Sequence, residues 1–483
     1  MSKAIEGLKP AGVWKAFAEL SAIPRPSKHE AAAAAFVIDT AKRLGLEWAQ
    51  DAAGSVVVRK PASKGYEGRP MVCLQGHLDM VPEKRPDKQH DFLKDPITLV
   101  RKGNVMMADG TTLGADNGVA VATSLAIMAD TSLAHGPLEF LFTVDEETGL
   151  TGANSLQPGF LKSTILLNLD SEEEGELYVG CSGGRDTMGT WALDTEPAPA
   201  GTVGLLVKVG GLRGGHSGLE IDKGRGNAIK ILNRALMKLA PVGARLASID
   251  GGNKRNAIPR DASALVFVPK PKAAEAKAIV AAVNGVCRAE LASVEPSLAV
   301  TAEPFKGRRK VVRKGLQKKL TMALAALPHG VIKMSADIPG LVETSTNVGV
   351  ITTGKKDISV ATSQRSSVAS EIAEIADAVR AVFDLGGAKV SGSDGYPGWK
   401  PNLESPILKL AIATYKKLYG KEPAVKAVHA GLECGIIGEK YPGMDMVSFG
   451  PTLEGVHSPD EKIHIDTVQK YWDFLLALLQ NVT

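Results

Sequence analysis

The spacing of apolar positions along the first 185 residues alternates between helical and strand-like. Apolar residues every three or four positions predict helices, and short unbroken apolar runs with β-branched or aromatic residues predict buried strands. The predicted helices are Val13–Leu20, Glu30–Leu44 and Asn117–Asp130, and the predicted strands are Ser55–Arg59, Pro70–Gln75, Leu138–Val144 and Thr164–Leu169. This alternation is typical of an α/β domain, so we expect a largely parallel sheet flanked by helices.

The pattern changes after the Gly-rich stretch Cys181–Gly184. Strand and helix patterns alternate from Val203 to Ala302, and a similar order recurs from Gly315 to Ser393. We interpret this region as an α+β domain built from two tandem units.

A second boundary is indicated by the turn-rich segment Ser393–Pro401. Beyond it the chain returns to helix–strand alternation and ends in the predicted amphipathic helix Asp466–Leu479. Insertion of one domain into another explains this arrangement. We therefore predict a discontinuous domain over residues 1–184 and 400–483, with the inserted domain over residues 185–399.

Composition narrows the function classes. The 483 residues carry a net charge of only +4 and 5% aromatic residues, which disfavours a basic, base-stacking nucleic-acid groove. The four cysteines form no CxxC pair, so neither a disulfide framework nor a thiolate zinc site is expected. No secretory signal and no apolar run of membrane-spanning length is visible. We expect a cytoplasmic protein that does not bind membranes.

Candidate chemistry begins at the predicted strand ends. His77 and Asp79 follow the run Met71–Leu74, and residues two apart at a strand end point the same way. A ligating imidazole commonly has such a carboxylate partner, although a surface turn would also place these residues together. Asp116 lies between a Gly-rich turn and a helix, where it is either a ligand or a helix N-cap.

Two further runs end in acids. Glu146 and Glu147 follow Leu138–Val144, and Asp170 follows Thr164–Leu169. Either these acids form solvated loops or a cation meets them, since burying them unpaired is costly. One of the two glutamates and Asp170, together with Asp116, His77 and the late His457, form a ligand set of three carboxylates and two histidines for two zinc-class ions, with one bridging carboxylate. A ligand carboxylate beside a free carboxylate base suits metal-assisted hydrolysis.

Two other signals are weaker. Gly180–Gly184 matches the G-x-S-x-G pattern around Ser182, but the following residues predict a strand, whereas a nucleophile elbow needs a helix. The basic run Lys306–Lys319 is better explained as a solvated loop and helix face than as a nucleic-acid site.

The inserted region has its own polar residues. His216 lies between glycines in GGLRGGHSG, which permits close approach to a ligand or simply forms a flexible loop. Asn256, Arg365 and the loop around Gly431 supply further donors. Arg binds carboxylates in a bidentate manner, although a structural salt bridge is the simpler role for a lone Arg.

Taken in order, these segments resemble one known family. The motifs are QGHLDM, GTTLGADNG, EETG, NLDSEEEGE, GGLRGGHSG, NAIPR, YPGW, HAGLECG and GPTLEGVHSPDE. They resemble the dizinc metallopeptidases, the family that includes carboxypeptidase G and the aminoacylases. Within that family the likeness spans almost the whole chain for the Xaa-His dipeptidases, which cleave substrates such as β-Ala-His.

The resemblance implies a role for each matching residue. It implies that His77 and Asp170 bind one metal ion, Glu147 and His457 bind the other, and Asp116 bridges them. Asp79 would orient His77, Glu146 would be the general base, and the lid residue His216 would stabilise the oxyanion. Three residues would hold the substrate carboxylate, namely Asn256, Arg365 and Gly431. The ions would be zinc, with cobalt or manganese as alternatives.

The resemblance also implies an architecture and a substrate. Residues 1–184 and 400–483 would form the catalytic domain and residues 185–399 the lid. The lid's second unit would mimic the lid of a partner subunit; a homodimer, with His216 acting in cis or in trans, stays open. The expected reaction is metal-dependent dipeptide hydrolysis. Alternatives are an N-acyl amino acid deacylase, a broad di- or tripeptidase, a non-catalytic metal-dependent binding protein, and a serine hydrolase that uses Ser182.

Overall fold

The chain divides into two compact units in the computed structural model, which describes residues 3–483. Unit 1 comprises the residues up to Gly180 with Trp399–Ala427 and Leu432–Thr483, and unit 2 comprises Cys181–Gly398 and Val428–Gly431. The two long boundaries lie within a few residues of the predicted ones. The assignment of Val428–Gly431 to unit 2 was not predicted; it follows from the Ser182 amide, which is 3.0 Å from the carbonyl oxygens of both Val428 and Ala430.

The α-helices of the described residues fall where most of the helical patterns predicted them. In chain order they are α1 (Ala11–Ser21), α2 (Ala31–Arg43), α3 (Ala115–Ala129), α4 (Glu146–Gly149), α5 (Thr151–Ser155), α6 (Ala228–Leu239), α7 (Ala273–Glu290), α8 (Lys314–Ala326), α9 (Ala369–Leu385), α10 (Pro406–Tyr419), α11 (Glu433–Lys440) and α12 (Ile465–Asn481). The short helices α4 and α5 were not predicted, because one turn carries no detectable period.

The strands are more numerous than the apolar runs indicated. In chain order they are β1 (Glu47–Gln50), β2 (Val56–Lys60), β3 (Val72–His77), β4 (Leu99–Lys102), β5 (Val105–Ala108), β6 (Leu138–Thr143), β7 (Ile165–Asn168), β8 (Glu176–Cys181), β9 (Gly183–Ala192), β10 (Thr195–Pro197), β11 (Thr202–Gly210), β12 (Gly215–His216), β13 (Arg245–Gly251), β14 (Ala257–Ile258), β15 (Ala262–Pro269), β16 (Ala299–Phe305), β17 (Lys310–Val312), β18 (Gly330–Met334), β19 (Val342–Thr353), β20 (Asp357–Ser366), β21 (Lys389–Gly392), β22 (Ala424–Val428), β23 (Asp445–Ser448), β24 (Leu453–Glu454) and β25 (Lys462–His464).

Unit 1 is built on an eight-stranded sheet in the order β1-β2-β6-β3-β7-β23-β8-β22. The central strands β6, β3, β7 and β23 are parallel, and β3 and β6 are buried along their whole length. The edges are antiparallel, at β1–β2–β6 and at β23–β8, so the expectation of a largely parallel sheet holds only for its centre. Antiparallel neighbours need only a short connection, which a pattern of helices and strands does not reveal.

A second, smaller sheet of unit 1 has the order β24-β25-β5-β4. The antiparallel pair β24–β25 encloses a loop that contains His457. Because β25 also pairs with β5, the loop is fixed to a segment that precedes α3 in the chain.

Unit 2 contains a sheet in the order β16-β11-β15-β13-β19-β20-β9-β21, with β18 beside β19. Its core joins strand residues such as Val207 to residues of each of the helices α6 to α9, namely Leu232, Val280, Leu320 and Phe383. The sheet consists of a first group of strands, β16-β11-β15-β13, and a second group, β19-β20-β9-β21. The two groups meet where β13 pairs with β19 at Gly251 and Ile351.

The predicted tandem order of unit 2 requires a correction. Strand β9 pairs with β20 and β21, so the second group of strands begins before the first group in the chain. One group is therefore nested within the sequence span of the other, in a single sheet. The sequence pattern did recognise β9 as a strand but could not assign its partner, because pairing depends on long-range register.

Among residues 3–483, no helix combines the length and apolar character that crossing a membrane requires.

Candidate functional site

His77, the last residue of β3, faces carboxylates on both edges of its ring. Its Nδ1 atom is 3.3 Å from Asp79 Oδ1. Its Nε2 atom is 3.1 Å from Asp116 Oδ1 and 3.5 Å from Asp170 Oδ1. The three carboxylates come from the loop after β3, the start of α3 and the end of β7, so the carboxyl edge of the parallel strands gathers them, as expected for an α/β sheet.

A second imidazole, that of His457, approaches the Asp116 carboxylate from the side opposite His77. His457 Nε2 is 3.1 Å from Asp116 Oδ2 and 2.9 Å from Glu147 Oε2. The two oxygens of Asp116 therefore face different histidines. The ligand atoms fall into two groups of metal-binding size that share this residue, His77/Asp116/Asp170 and Asp116/Glu147/His457.

Asp79 connects His77 to the segment that carries the two glutamates. Its carboxylate accepts hydrogen bonds from the backbone amides of Glu146 at 3.0 Å and Glu147 at 3.2 Å, and from Ser27 Oγ at 2.8 Å. Burial would raise the pKa of Asp79, but the bonds from His77 and the Glu146 amide lower it to about 2. Asp79 is therefore a fixed anion that orients both the imidazole and α4.

Several carboxylates lie close together in this site, and their burial and mutual repulsion shift the pKa values of the surrounding groups. Burial raises the pKa of Asp170 to about 6, and the charges of Asp116 and Glu147 add to this effect. Burial also holds the pKa of Glu146 well above its usual range. Hydrogen bonds that His457 donates to the carboxylates of Asp116 and Glu147 raise the pKa of His457 to about 11. Glu147 Oε1 is buried without a hydrogen-bond partner, so this donor set fits divalent cations.

Arg25 and Glu461 hold the backbone segments that carry the candidate ligands, and neither residue was predicted from the sequence. The buried Arg25 guanidinium donates to the carbonyl oxygens of Leu78 at 2.8 Å, Asp79 at 2.9 Å and Gly114 at 2.5 Å. Burial lowers the pKa of Arg25 to about 10, which leaves it charged at neutral pH.

The carboxylate of Glu461 holds the other side of the loop before α3. It accepts hydrogen bonds from four consecutive amides, Leu113 to Asp116, at 2.7 to 3.2 Å. Glu461 lies four positions after His457, so one short segment both supplies an imidazole and fixes Asp116. The position of Glu461 in the HSPDE motif was the only sequence signal of this role.

A buried polar chain runs beneath the ligands, and it too was missed. The fully buried Glu433, the first residue of α11, accepts hydrogen bonds of 2.6 Å from Gln75 Nε2 and Thr143 Oγ1. Gln75 Oε1 in turn accepts from Asn168 Nδ2 at 2.5 Å. These residues lie on β3, β6 and β7 close to the ends that carry the ligands, and burial raises the pKa of Glu433 to about 7.

Unit 2 brings the remaining predicted residues together. The two-residue strands β12 and β14 pair His216 with Ala257, next to Asn256. His216 Nδ1 accepts from the amides of Gly218 at 3.3 Å and Leu219 at 3.1 Å; these two bonds outweigh the single 3.4 Å approach of Arg365 Nη2 to Nε2 and place the ring hydrogen on Nε2. Burial, reinforced by the charge of Arg365, lowers the pKa of His216 to about 4, so the ring is a neutral donor.

Arg365, on β20, is buried and lacks an acidic partner. Among the described residues no carboxylate lies within 4.0 Å of its guanidinium, which excludes the structural salt bridge considered above. Its Nη1 atom donates to Tyr396 Oη at 3.0 Å, its Nη2 atom is 3.4 Å from His216 Nε2, and its Nε atom has no partner. Arg365, Asn256 and Tyr396 line a cavity of about 430 Å³.

Three other sequence signals can now be placed. Ser182 lies between β8 and β9, so it is followed by a strand and has no nucleophile-elbow geometry. The basic run Lys306–Lys319 includes the unpredicted strand β17, whose Val311 and Val312 are buried, and its charged side chains are exposed. Gly431 lies against the ring of Tyr396, and the preceding His429 bonds to Ser345 Oγ through Nε2 at 2.7 Å.

Comparison with known proteins gives consistent matches. The sequence profile of peptidase family M20/M25/M40 matches residues 73–481. The chain is 43% identical over 476 residues to a cytosol non-specific dipeptidase of Escherichia coli (strain K12), covering 98% of both sequences. The crystal structure of an aminoacylhistidine dipeptidase from Vibrio alginolyticus superposes with a TM-score of 0.91 at 42% identity, over 99% of this chain and 98% of that one. A tripeptidase from Staphylococcus aureus shares the fold, with a TM-score of 0.58 at 17% identity over 98% of this chain and 99% of that one.

Proposed function

The chain belongs to peptidase family M20/M25/M40, and from this premise we propose that it hydrolyses dipeptides, including those that end in histidine such as β-Ala-His. The observation that carries the proposal is the pair of ligand groups that share Asp116 beside Glu146. The names of the two most similar proteins described above support a dipeptide substrate.

Two divalent metal ions fit the donor set of unit 1. His77 and Asp170 would hold one ion, Glu147 and His457 the other, and Asp116 would bridge them. The unpartnered Glu147 Oε1 and the raised pKa of Asp170 support this assignment, because both are unfavourable without a nearby cation. Zinc suits mixed imidazole and carboxylate ligands, with cobalt or manganese as alternatives. When bound, such ions activate water and polarise the scissile carbonyl.

Glu146 acts as the general base in this proposal. Its amide is fixed by Asp79, and desolvation raises the pKa of its carboxyl, so it can accept a proton from water and later pass it to the leaving amine. Asp79 orients His77 and does not itself exchange protons, since its pKa is about 2.

The residues of unit 2 would bind the substrate. The Nε2–H group of His216 would donate to the oxyanion of the tetrahedral intermediate, where one good donor is worth about 3–4 kcal/mol. The uncompensated guanidinium of Arg365, with Asn256 and the Gly431 loop, would hold the C-terminal carboxylate. Residues 185–399 would accordingly be a lid that favours short substrates. We also infer a cytoplasmic location, which the name of the Escherichia coli relative supports.

The proposal is tested by a substrate panel before and after chelation. We expect hydrolysis of β-Ala-His, Gly-His and Gly-Leu, loss of all activity with a chelator, and recovery when zinc, cobalt or manganese is added back. N-acetyl amino acids and tripeptides are the comparison substrates. Preferred cleavage of N-acetyl amino acids would indicate a deacylase, activity that survives chelation would indicate a serine hydrolase, and metal binding without turnover would indicate a binding protein.

A further inference from the structure

Tyr396 and Arg365 lie on opposite sides of strand β9 in unit 2, and both are paired with the same residue of that strand. Gly184 of β9 pairs with Arg365 of β20 on one side. On its other side it pairs with Tyr396, with amide-to-carbonyl distances of 3.0 and 2.9 Å. Directly opposed residues of antiparallel strands present their side chains on the same face. Arg365 and Tyr396 therefore face the same side, with a glycine between them.

The glycine is needed because the tyrosine ring crosses over it. Adjacent strands are about 4.8 Å apart, so the Tyr396 side chain must span the middle strand to reach the guanidinium. A Cβ atom on Gly184 would lie 2.7 to 2.8 Å from ring atoms of Tyr396, and one on Gly431 would lie 2.9 Å from the same ring. Two Gly-rich motifs, GCSGG and HAGLECG, thus supply space for one side chain.

The hydrogen bond between the two residues leaves donors unused. Arg365 Nη1 donates to Tyr396 Oη at 3.0 Å, so the phenol acts as an acceptor and keeps its own hydrogen. That hydrogen can be donated to a ligand, and the buried Nε of Arg365 has no partner among residues 3–483. Burial raises the pKa of Tyr396, which keeps the phenol protonated at neutral pH.

Two adjacent donors and one uncompensated positive charge match a carboxylate. A guanidinium that donates to a phenol oxygen also polarises the phenol O–H group and strengthens it as a donor. We propose that Tyr396 is a second substrate-binding residue, whose hydroxyl donates to the C-terminal carboxylate of the dipeptide beside Arg365; this rests on the proposed function. Gly184 and Gly431 serve the site by leaving room for the ring.

The test compares binding of two inhibitors that differ only at the C-terminus. A phosphinic analogue of Gly-Leu with a free carboxylate and the same analogue with a C-terminal amide are titrated against wild type and Tyr396→Phe. We expect Tyr396→Phe to weaken the carboxylate ligand about 10- to 100-fold, the factor for a hydrogen bond to a charged group, and the amide ligand less than twofold. The Phe ring fits between the same glycines, so the fold and metal content are retained.

Two further variants make the outcome decisive. Tyr419→Phe removes a hydroxyl that donates to the Lys470 carbonyl at 2.7 Å on the surface of unit 1, and it should change neither affinity. Arg365→Gln should abolish discrimination between the two ligands. If Arg365→Gln abolishes discrimination but Tyr396→Phe leaves it intact, the role of Tyr396 is refuted and the proposed function stands. If wild type itself binds both ligands equally, the carboxylate role of Arg365 is refuted, and the inference with it.

Discussion

At the scale of single residues, the two carboxylate oxygens of Asp116 face two different histidines. This orientation depends on residues that are distant from Asp116 in the sequence. Glu461 fixes the backbone amide of Asp116, and Arg25 fixes the preceding Gly114 carbonyl. The same holds for His77, whose second nitrogen faces Asp79. Asp116 and His77 are thus each held in place by further charged residues, independently of any bound ion.

Glu146→Gln separates the proposed base from the ligands. The amide cannot accept a proton, so turnover of Gly-His should fall by about 10²- to 10⁴-fold. Metal content, measured by atomic emission, should stay near that of wild type, because the two ligand groups that share Asp116 do not include Glu146. Glu147→Gln is the matched control on the neighbouring residue, and it should lower metal content as well as turnover. Near-normal turnover of Glu146→Gln would refute the base assignment.

At the scale of elements, the start of α6 shows how one helix is tied to its neighbours. Asn227 Oδ1 caps the helix by accepting from the amides of Ile229 at 3.0 Å and Lys230 at 3.1 Å. Its Nδ2 group donates to the Val348 carbonyl of β19 at 2.9 Å. The residue therefore joins α6 to the second group of strands in unit 2. The alternating pattern over Val203–Ala302 indicates helices in this region but does not reveal this second contact.

Asn227→Ala should lower the free energy of unfolding by about 2 kcal/mol, because it removes the cap and the bond to Val348 together. Asn227→Ser is the graded control: its hydroxyl can cap the helix but is too short to replace the amide at Val348, so it should recover part of the loss. Urea unfolding followed by circular dichroism measures both. An unchanged unfolding midpoint in Asn227→Ala would contradict the account.

At the scale of the whole molecule, the proposed ligands converge from distant parts of the chain. His457 meets Asp116 across 341 positions, and it lies in the hairpin loop of the small sheet rather than in the main sheet. Insertion of residues 181–398 between the parts of unit 1 leaves this convergence intact. Bound ions would therefore cross-link five separate segments of unit 1, all of which move apart on unfolding.

Metal removal should lower thermal stability. Ions that bind only the folded state stabilise it by RT ln(1 + [L]/Kd), so a chelator should lower the Tm by about 5 °C or more, and added zinc should restore it. Differential scanning calorimetry measures the shift. In Asp116→Asn, which weakens both ligand groups, the chelator should have little effect. Equal melting of wild type with and without chelator would show that no stabilising ion is bound.

The fold was predictable where local spacing repeats over several turns or strand residues. α3 and α12 have long periodic patterns, β3 is marked by an unbroken apolar run, and all three were predicted with bounds close to those observed. β12 and β14 have two residues each and carry no period, so the pairing that brings His216 beside Asn256 could not be predicted. The roles of the site residues stay predictions, although the structure gathers all those of unit 1 at one edge of the sheet and those of unit 2 around Arg365.

The sequence by itself determined the α/β class and the residue types at the strand ends, because these follow from local periodicity and from the cost of burying acids. Only the tertiary structure decided that Asp116 faces both histidines, that Glu461 holds its loop and that Tyr396 reaches Arg365 across Gly184. Those contacts join residues far apart in the chain. Their geometry depends on strand register and long-range packing, which no local pattern encodes.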